Sequence, residues 1–259
     1  MGGFTMTYNY SDISLGEFPG EISLILYSGS CVCRCPWCFN PDLLKLKPLS
    51  FKQMKDAVDA HEDFITAVVF SGGEPLLNPY LRKIIKYVKE KGLKVKLNTC
   101  GLVDERNRKN MFVPHLDYIN VSLKGTPQMM SNVLKLSDLE PIFLKPNGKV
   151  LEYSFVYSQT LYPKPILNSF HDFLKNKIAY DDWITCCNQK WSRPDILTVS
   201  QIQTGNCANP SYNDCNIPTE EECMDVGMLF KDIPKKKIVV ETREFGRKTL
   251  NINKKNIEV

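Results

Sequence analysis

The stretch ISLILYSGSCVCRCPWCFN, Ile22 to Asn40, runs from a short apolar segment straight into a loop with four cysteines, Cys31, Cys33, Cys35 and Cys38. ISLILY is strand-sized and uniformly apolar, which marks a buried strand rather than a half-exposed one. Ser28-Gly29 ends it. Thiols packed this closely behind a buried strand place reactive groups at the strand's C-terminal end.

The chain has 259 residues, enough for one large or two small domains with a substantial core. Hydrophobic residues make up 43% and charged residues 24%, the balance of an ordinary globular protein. A net charge of +4 is too weak to imply a nucleic-acid partner. The run Lys235-Lys236-Lys237 reads as a solvated turn before a strand. Met1 to Tyr10 is polar and glycine-containing, without a basic-plus-apolar signal. No apolar run approaches the roughly eighteen residues of a membrane span. The expectation is a cytoplasmic protein with no membrane contact. Thiols stay reduced there, and clustered cysteines then favour metal over disulfides.

Short apolar runs alternate with helical patterns along the chain. Ile65–Phe70, Leu93–Asn98, Asp117–Leu123, Leu151–Ser158 and Ile196–Ile202 read as further strands after Ile22–Tyr27. Ser50 caps a helix whose apolar positions are Phe51, Met54, Ala57 and Val58. A second helix runs from about Asn78, with Leu81, Ile84, Ile85 and Val88 on one face and Gly92 as its stop. PILNSFHDFLKN is also helical. Strand-then-helix at intervals of about thirty residues implies parallel strands joined by crossover helices. Six such units fit an open doubly wound sheet or a partial barrel, and in both the ligand sits at the strands' C-terminal ends. The unusual residues all fall there: the cysteine loop, SGGEP, NTCG and SLKG.

Structural zinc wants two knuckles, and Cys35-Pro36-Trp37-Cys38 supplies one. Cys186 and Cys187 are adjacent and do not chelate as a second knuckle. A thioredoxin-like pair opens a helix in a chain of different strand order. An iron–sulfur cluster remains. Cys31, Cys35 and Cys38 give the spacing C-x3-C-x2-C. Electron carriers close a four-iron cluster with four cysteines, so three leave one iron open to a chelating ligand.

C-x3-C-x2-C after the first strand, with aromatic Trp37 before the last cysteine, resembles the signature of the radical S-adenosylmethionine enzymes. SGGEP after the second strand resembles their glycine-rich element. The resemblance implies a partial (β/α)6 TIM-like barrel of α/β class with parallel strands. It also implies one [4Fe-4S] cluster held by Cys31, Cys35 and Cys38, with S-adenosylmethionine on the open iron. In such enzymes reductive cleavage yields a 5′-deoxyadenosyl radical. Backbone at Gly72, Gly73 and Glu74 then meets the methionine amino group, glycine allowing close approach.

The likeness extends to glycyl-radical-enzyme activases, closest to those of anaerobic ribonucleotide reductase. Glu17-Phe18-Pro19-Gly20 resembles their D-x-P-G turn, and LNTCG their DTNG, with Asn98 replacing Asp and Cys100 replacing Asn. DYINVSLKG resembles a strand ending D-x-K, with Ser122 replacing the acid and Lys124 kept. Lys124 then pairs with the methionine carboxylate. Trp37, Gly72, Gly73, Glu74, Asn98, Ser122 and Lys124 are therefore the expected cofactor-binding residues. Ser154 or a neighbour stands where many relatives carry an arginine.

The expected partners are a glycyl radical enzyme and a flavodoxin or ferredoxin-type reductant. Two other readings are a radical enzyme acting on a small molecule, nucleoside or peptide, and a non-catalytic electron-transfer module. SGGEP argues against the last, because an electron carrier has no use for a cofactor cleft. Cys186, Cys187, Cys207, Cys215 and Cys223 are candidates for a second metal, although gaps of seven residues are longer than cluster or zinc motifs use. Buried thiols that pack as small hydrophobes are the expected alternative. Cys33 is read as a passenger, and His61, His115 and His171 as structural or surface residues. Residues 1–205 are expected to form the core domain, and 206–259 a less regular C-terminal extension packed on it.

Overall fold

Each apolar run read as a strand from the sequence forms one, in a computed structural model of the chain. The structure describes residues 10–38, 40–101, 115–125, 149–177, 195–201, 218–233, 235, 237–242 and 246–250. The strands are β1 (Tyr10–Ser14), β2 (Ser23–Ser28), β3 (Ala67–Gly72), β4 (Lys94–Thr99), β5 (Tyr118–Ser122), β6 (Val150–Tyr157), β7 (Ile196–Gln201), β8 (Lys237–Thr242) and β9 (Gly246–Leu250). The helices are α1 (Phe51–Asp59), α2 (Leu81–Glu90), α3 (Lys164–Lys177) and α4 (Glu220–Leu229). No helix among the described residues is long and apolar enough to cross a membrane.

Described residues fall into two compact units. Those within Met1–Cys31, Asn40–Thr99 and Val103–Tyr118 form the first, and those within Val32–Phe39, Cys100–Leu102 and Ile119–Val259 the second. The expected domain boundary at 205 lies outside the described residues.

In the first unit β2, β3 and β4 pair in parallel, with Ile25 opposite Val69 and Val69 opposite Lys96. β1 adds antiparallel to β2. Helices α1 and α2 are the crossovers. Ser50 closes a capping box with Gln53 at the start of α1, satisfying N-terminal N–H groups that the helix leaves unpaired. Met54, Ala57 and Val58 of α1, and Leu81, Ile84, Ile85 and Val88 of α2, are buried. Gly92 stops α2 at φ +76°. That helix starts at Leu81 rather than Asn78, because the Asn78 carboxamide is spent elsewhere: Oδ1 accepts from Tyr80 N and Nδ2 donates to Leu49 O.

In the second unit β6, β7 and β8 pair in parallel and β9 returns antiparallel to β8. An aromatic cluster of Phe155, Tyr162, Phe170 and Phe230 fills its core, with ring centroids 5.2 to 6.0 Å apart. Glu152, fully buried on β6, accepts hydrogen bonds from Thr198 Oγ1 and from Arg247 Nη2 at 2.6 Å, fastening β9 to the parallel strands. Gly227 lets α4 lie on β9, since a Cβ there would come 2.6 Å from Leu250 Cδ1. Thus the C-terminal region contains regular elements, α4, β8 and β9, beyond the six strands read from the sequence. Parallel strands with helical crossovers are the α/β class expected.

Candidate cofactor site

In the first unit the SGGEP turn is stitched to the chain that leads into Cys31. Gly73 N donates to Ser28 O and Glu74 N to Ser30 O, both at 2.9 Å. Gly72 has φ +104°, and a Cβ there would lie 2.7 Å from Ser28 N and O. A Cβ on Gly73 would sit 1.9 Å from Ser30 O. Ser30 itself takes φ +65°, a left-handed conformation that non-glycine residues adopt at a cost. The glycines are thus demanded by backbone meeting backbone inside the protein. The reason expected from the sequence is a different one, close approach of a ligand.

Glu74 is completely buried. Its Oε1 accepts from Leu76 N at 3.0 Å and from Thr99 Oγ1 at 2.7 Å, bracing the turn against the end of β4. Asn98, one residue before Thr99, donates from Nδ2 to Ser71 Oγ at 3.3 Å and to Glu17 Oε2 at 3.2 Å. Its Oδ1 is enclosed and has no hydrogen-bond partner among the described residues. Buried acceptors are nearly always paired, so this oxygen can take a donor that the described residues do not supply. Lys96, only 2% exposed, donates to Glu17 O and lies 4.8 Å from the centre of the Tyr118 ring. Burial and then the Glu17 charge raise the Tyr27 hydroxyl above its usual range.

In the second unit, Cys35-Pro36-Trp37-Cys38 is a tight turn closed by Cys38 N to Cys35 O at 3.0 Å. Proline fixes the backbone at the turn's second position. Trp37 is half-buried within it. Cys35 is 8% exposed, yet its thiol is drawn down to about 6. A hydrogen bond from Cys33 is the main cause and the Lys124 ammonium adds to it, against the opposing effect of burial. Such a group is a thiolate at neutral pH, the form that binds metal. Cys33, read from the sequence as a passenger, is buried and acts on Cys35 directly. Lys124 Nζ donates to Ser122 Oγ at 2.7 Å, which orients the ammonium. Ser154 Oγ donates to Asn120 Oδ1 at 2.8 Å, and Ser154 O accepts from Leu123 N.

Cys31 closes the first unit while Cys35 and Cys38 belong to the second. Among the described residues none of the six cysteines is in a disulfide, and no three His, Cys, Asp or Glu side chains form a ready metal site. Of the candidates for a second metal, Cys223 is a buried thiol pushed up to about 12, chiefly by burial and then by Glu222 and Glu220. Burial favours its neutral, protonated form. Cys186, Cys187, Cys207 and Cys215 lie outside the described residues. His61 Nδ1 meets Ala57 O, and His171 bridges Asp172 and Asp232.

Sequence reasoning passes over Ser30, Thr99 and Lys96. Thr99 sits inside the quoted LNTCG, so the signal is present. Lys96 in KVKLN reads as solvent-facing, and nothing in the sequence separates it from exposed Lys94.

Parallel strands joined by helical crossovers, with a glycine-rich turn after β3 in one unit and a thiol of lowered pKa in the other, make this an α/β protein with reactive groups beyond its strand ends. The family model described as the radical SAM superfamily matches residues 25–141. A Methanocaldococcus jannaschii protein, provisionally named a glycyl-radical enzyme activating enzyme, is 30% identical over 241 residues, 85% of this chain and 89% of the relative. Pyruvate formate-lyase-activating enzyme of Staphylococcus aureus strain USA300 is 28% identical over 153 residues, 54% of this chain and 59% of that protein. Crystal structures of Streptococcus suis SuiB share the fold at TM-score 0.51 and 15% identity, covering 85% of this chain and 49% of SuiB. A SuiB structure bound to S-adenosylmethionine aligns at TM-score 0.51, with 16% identity. The chain thus spans about half of SuiB. It belongs to the radical SAM superfamily and is a radical SAM enzyme. Membership implies a four-iron cluster and S-adenosylmethionine, and the low-pKa Cys35 and the orphaned Asn98 acceptor fit such a pair.

Proposed function

We propose that this chain activates a glycyl radical enzyme, and that its partner is an anaerobic ribonucleotide reductase. The observation that carries the reading is the match to an activating-enzyme relative along nearly its whole length, 89% of that protein. Cys31, Cys35 and Cys38 hold one [4Fe-4S] cluster, leaving an iron for the amino and carboxylate groups of S-adenosylmethionine. A cluster and S-adenosylmethionine held there would supply one-electron chemistry for abstracting a hydrogen atom from the partner's glycine.

The chain's own residues bind and orient. Gly73 and Glu74 give their N–H groups to Ser28 O and Ser30 O. What the turn offers an ammonium is therefore its carbonyl oxygens. Asn98 Oδ1 accepts from a cofactor donor, Lys124 pairs with the carboxylate while Ser122 holds it, and Trp37 packs against the cluster or cofactor. Glu74 acts by bracing the turn. A flavodoxin or ferredoxin-type protein supplies the electron, in the cytoplasm. Residues 1–205 form the catalytic core, with 206–259 as its extension.

The test is to reconstitute the protein anaerobically, reduce it, and incubate it with S-adenosylmethionine and anaerobic ribonucleotide reductase. A glycyl radical signal on that partner by electron paramagnetic resonance is the expected result. Cofactor cleavage without the signal overturns the activase reading and favours a radical enzyme of another substrate.

A further inference from the structure

The chain entering Cys31 has a second neighbour besides the glycine turn. Gly29 lies so close to the Leu46–Lys47 backbone that a Cβ there would come 2.2 Å from Leu46 O and 2.9 Å from Lys47 O. Asn78 ties this segment to the start of α2: its Nδ2 donates to Leu49 O at 3.1 Å, and its Oδ1 accepts from Tyr80 N at 2.9 Å. The Lys83 ammonium then sits 4.1 Å from the centre of the Phe51 ring, at the start of α1. Residues 45–52 and 80–86 thus form one rim of the first unit, fastened at Gly29, two residues before Cys31.

This rim is basic. Lys45, Lys47, Lys52, Arg82, Lys83 and Lys86 are all exposed. Asp42, Asp56 and Glu90 answer Lys45, Lys52 and Lys86 in surface pairs at 2.7, 2.6 and 3.8 Å, so six cations face three anions. Lys52, Arg82 and Lys83 also stand in the first turns of α1 and α2, and neither first turn holds an acid. The helix dipole makes that end positive and disfavours cations there, so fold stability does not explain their position. Tyr80, 45% exposed, adds an aromatic side chain beside Arg82 in the chain.

We infer that this rim is the docking surface for an acidic one-electron carrier protein, which reduces the cluster. The inference rests on the cluster reading proposed above. In the step the carrier gives up one electron and the cluster accepts it, and no bond forms or breaks. A carrier must bind, deliver and leave at every turnover, which suits a small encounter steered by opposite charges. The glycyl radical enzyme has a different requirement, since its glycine must reach the ends of the strands.

The experiment compares wild type, Lys47→Glu/Lys83→Glu and Lys47→Gln/Lys83→Gln, all reconstituted anaerobically. Cluster reduction is followed by stopped-flow absorbance with a reduced acidic flavodoxin, and separately with photoreduced deazaflavin, a small neutral reductant. At low ionic strength the double Glu variant should react with flavodoxin about tenfold more slowly, and the double Gln variant should fall between it and wild type. The gap should close near 1 M salt, where charges are screened within about 3 Å. Iron content and the rate with deazaflavin should be equal in all three proteins. Equal flavodoxin rates at equal iron overturn the inference and leave the activase reading standing. Slower reduction by both reductants also overturns it, by showing that the cluster itself has changed. Loss of the glycyl radical on ribonucleotide reductase when deazaflavin supplies the electrons assigns the rim to that partner, and overturns it too. Wild type that takes up no iron overturns the cluster reading itself, and the inference with it.

Discussion

Around the SGGEP turn, backbone is held by backbone: two N–H groups go to Ser28 and Ser30, two glycines admit the contact, and a buried glutamate locks the turn to Thr99. In the Cys35–Cys38 loop the emphasis reverses. One tight turn sets the chain, and the character lies in side chains, a thiol drawn down to about 6 beside Cys33 and Lys124. The first region is finished by folding alone. The second presents thiols, and no three metal-binding side chains already converge among the described residues. Changes in the loop should therefore be felt in cofactor loading, and changes in the turn in stability.

The largest effect is all-or-none and tests the loop. Cys31→Ala, Cys35→Ala and Cys38→Ala should each abolish iron binding after anaerobic reconstitution, while cluster-free folding by circular dichroism is retained. Cys33→Ala should keep its iron, with Cys35 deprived of a hydrogen bond. Iron lost from Cys33→Ala but kept by Cys31→Ala would show the ligand register to be wrong.

Gly73→Ala is the counterpart in the turn. Its new Cβ meets Ser30 O, a backbone atom that moves only with the chain leading into Cys31. The cost should reach about 3 kcal/mol or more, the upper end for overpacking, read from urea unfolding of the cluster-free chain. A loss below about 1 kcal/mol would mean that the turn is looser than its contacts imply.

The same contrast explains what the amino-acid sequence reveals and what it hides. Cysteine spacing is local, so C-x3-C-x2-C and Trp37 are legible in the chain alone. Six strands are legible too, because buried parallel strands such as AVVF are continuously apolar. β1 is not, since YSDIS is a polar strand supported by one neighbour. β8 is hidden behind its lysine run, and β9, GRKTL, owes its place to the Arg247–Glu152 contact, a pairing 95 residues apart. Glu74 stands out for its motif, but its bracing role depends on Thr99, which only the folded chain brings near.

Thr99→Val sharpens the reading of that brace. It removes the hydroxyl donor to Glu74 and leaves the shape, while Leu76 N still donates to the same oxygen. A loss of about 1 kcal/mol in the cluster-free protein is expected, the lower range for a buried acceptor deprived of one partner. Iron uptake should be unchanged. An effect on iron rather than on unfolding would erase the division between turn and loop.

The smallest effect belongs to neither region and sets the scale for both. Asp232 is held down at about 2, first by its hydrogen bond with His171 and then by Lys175. Because its folded value is depressed, the stabilisation is complete above the ordinary carboxylate value near 4 and is lost as pH falls toward 2. The side chain is 41% exposed, so solvent screening keeps the contribution under about 1 kcal/mol. Asp232→Asn should therefore match wild type to within error at about pH 2 and fall slightly below it at pH 6, by urea unfolding of the cluster-free chain. A deficit at pH 6 as large as that of Gly73→Ala would mean that an exposed ion pair holds α3 as firmly as backbone contacts hold the glycine turn, and the contrast between built and unbuilt regions would fail.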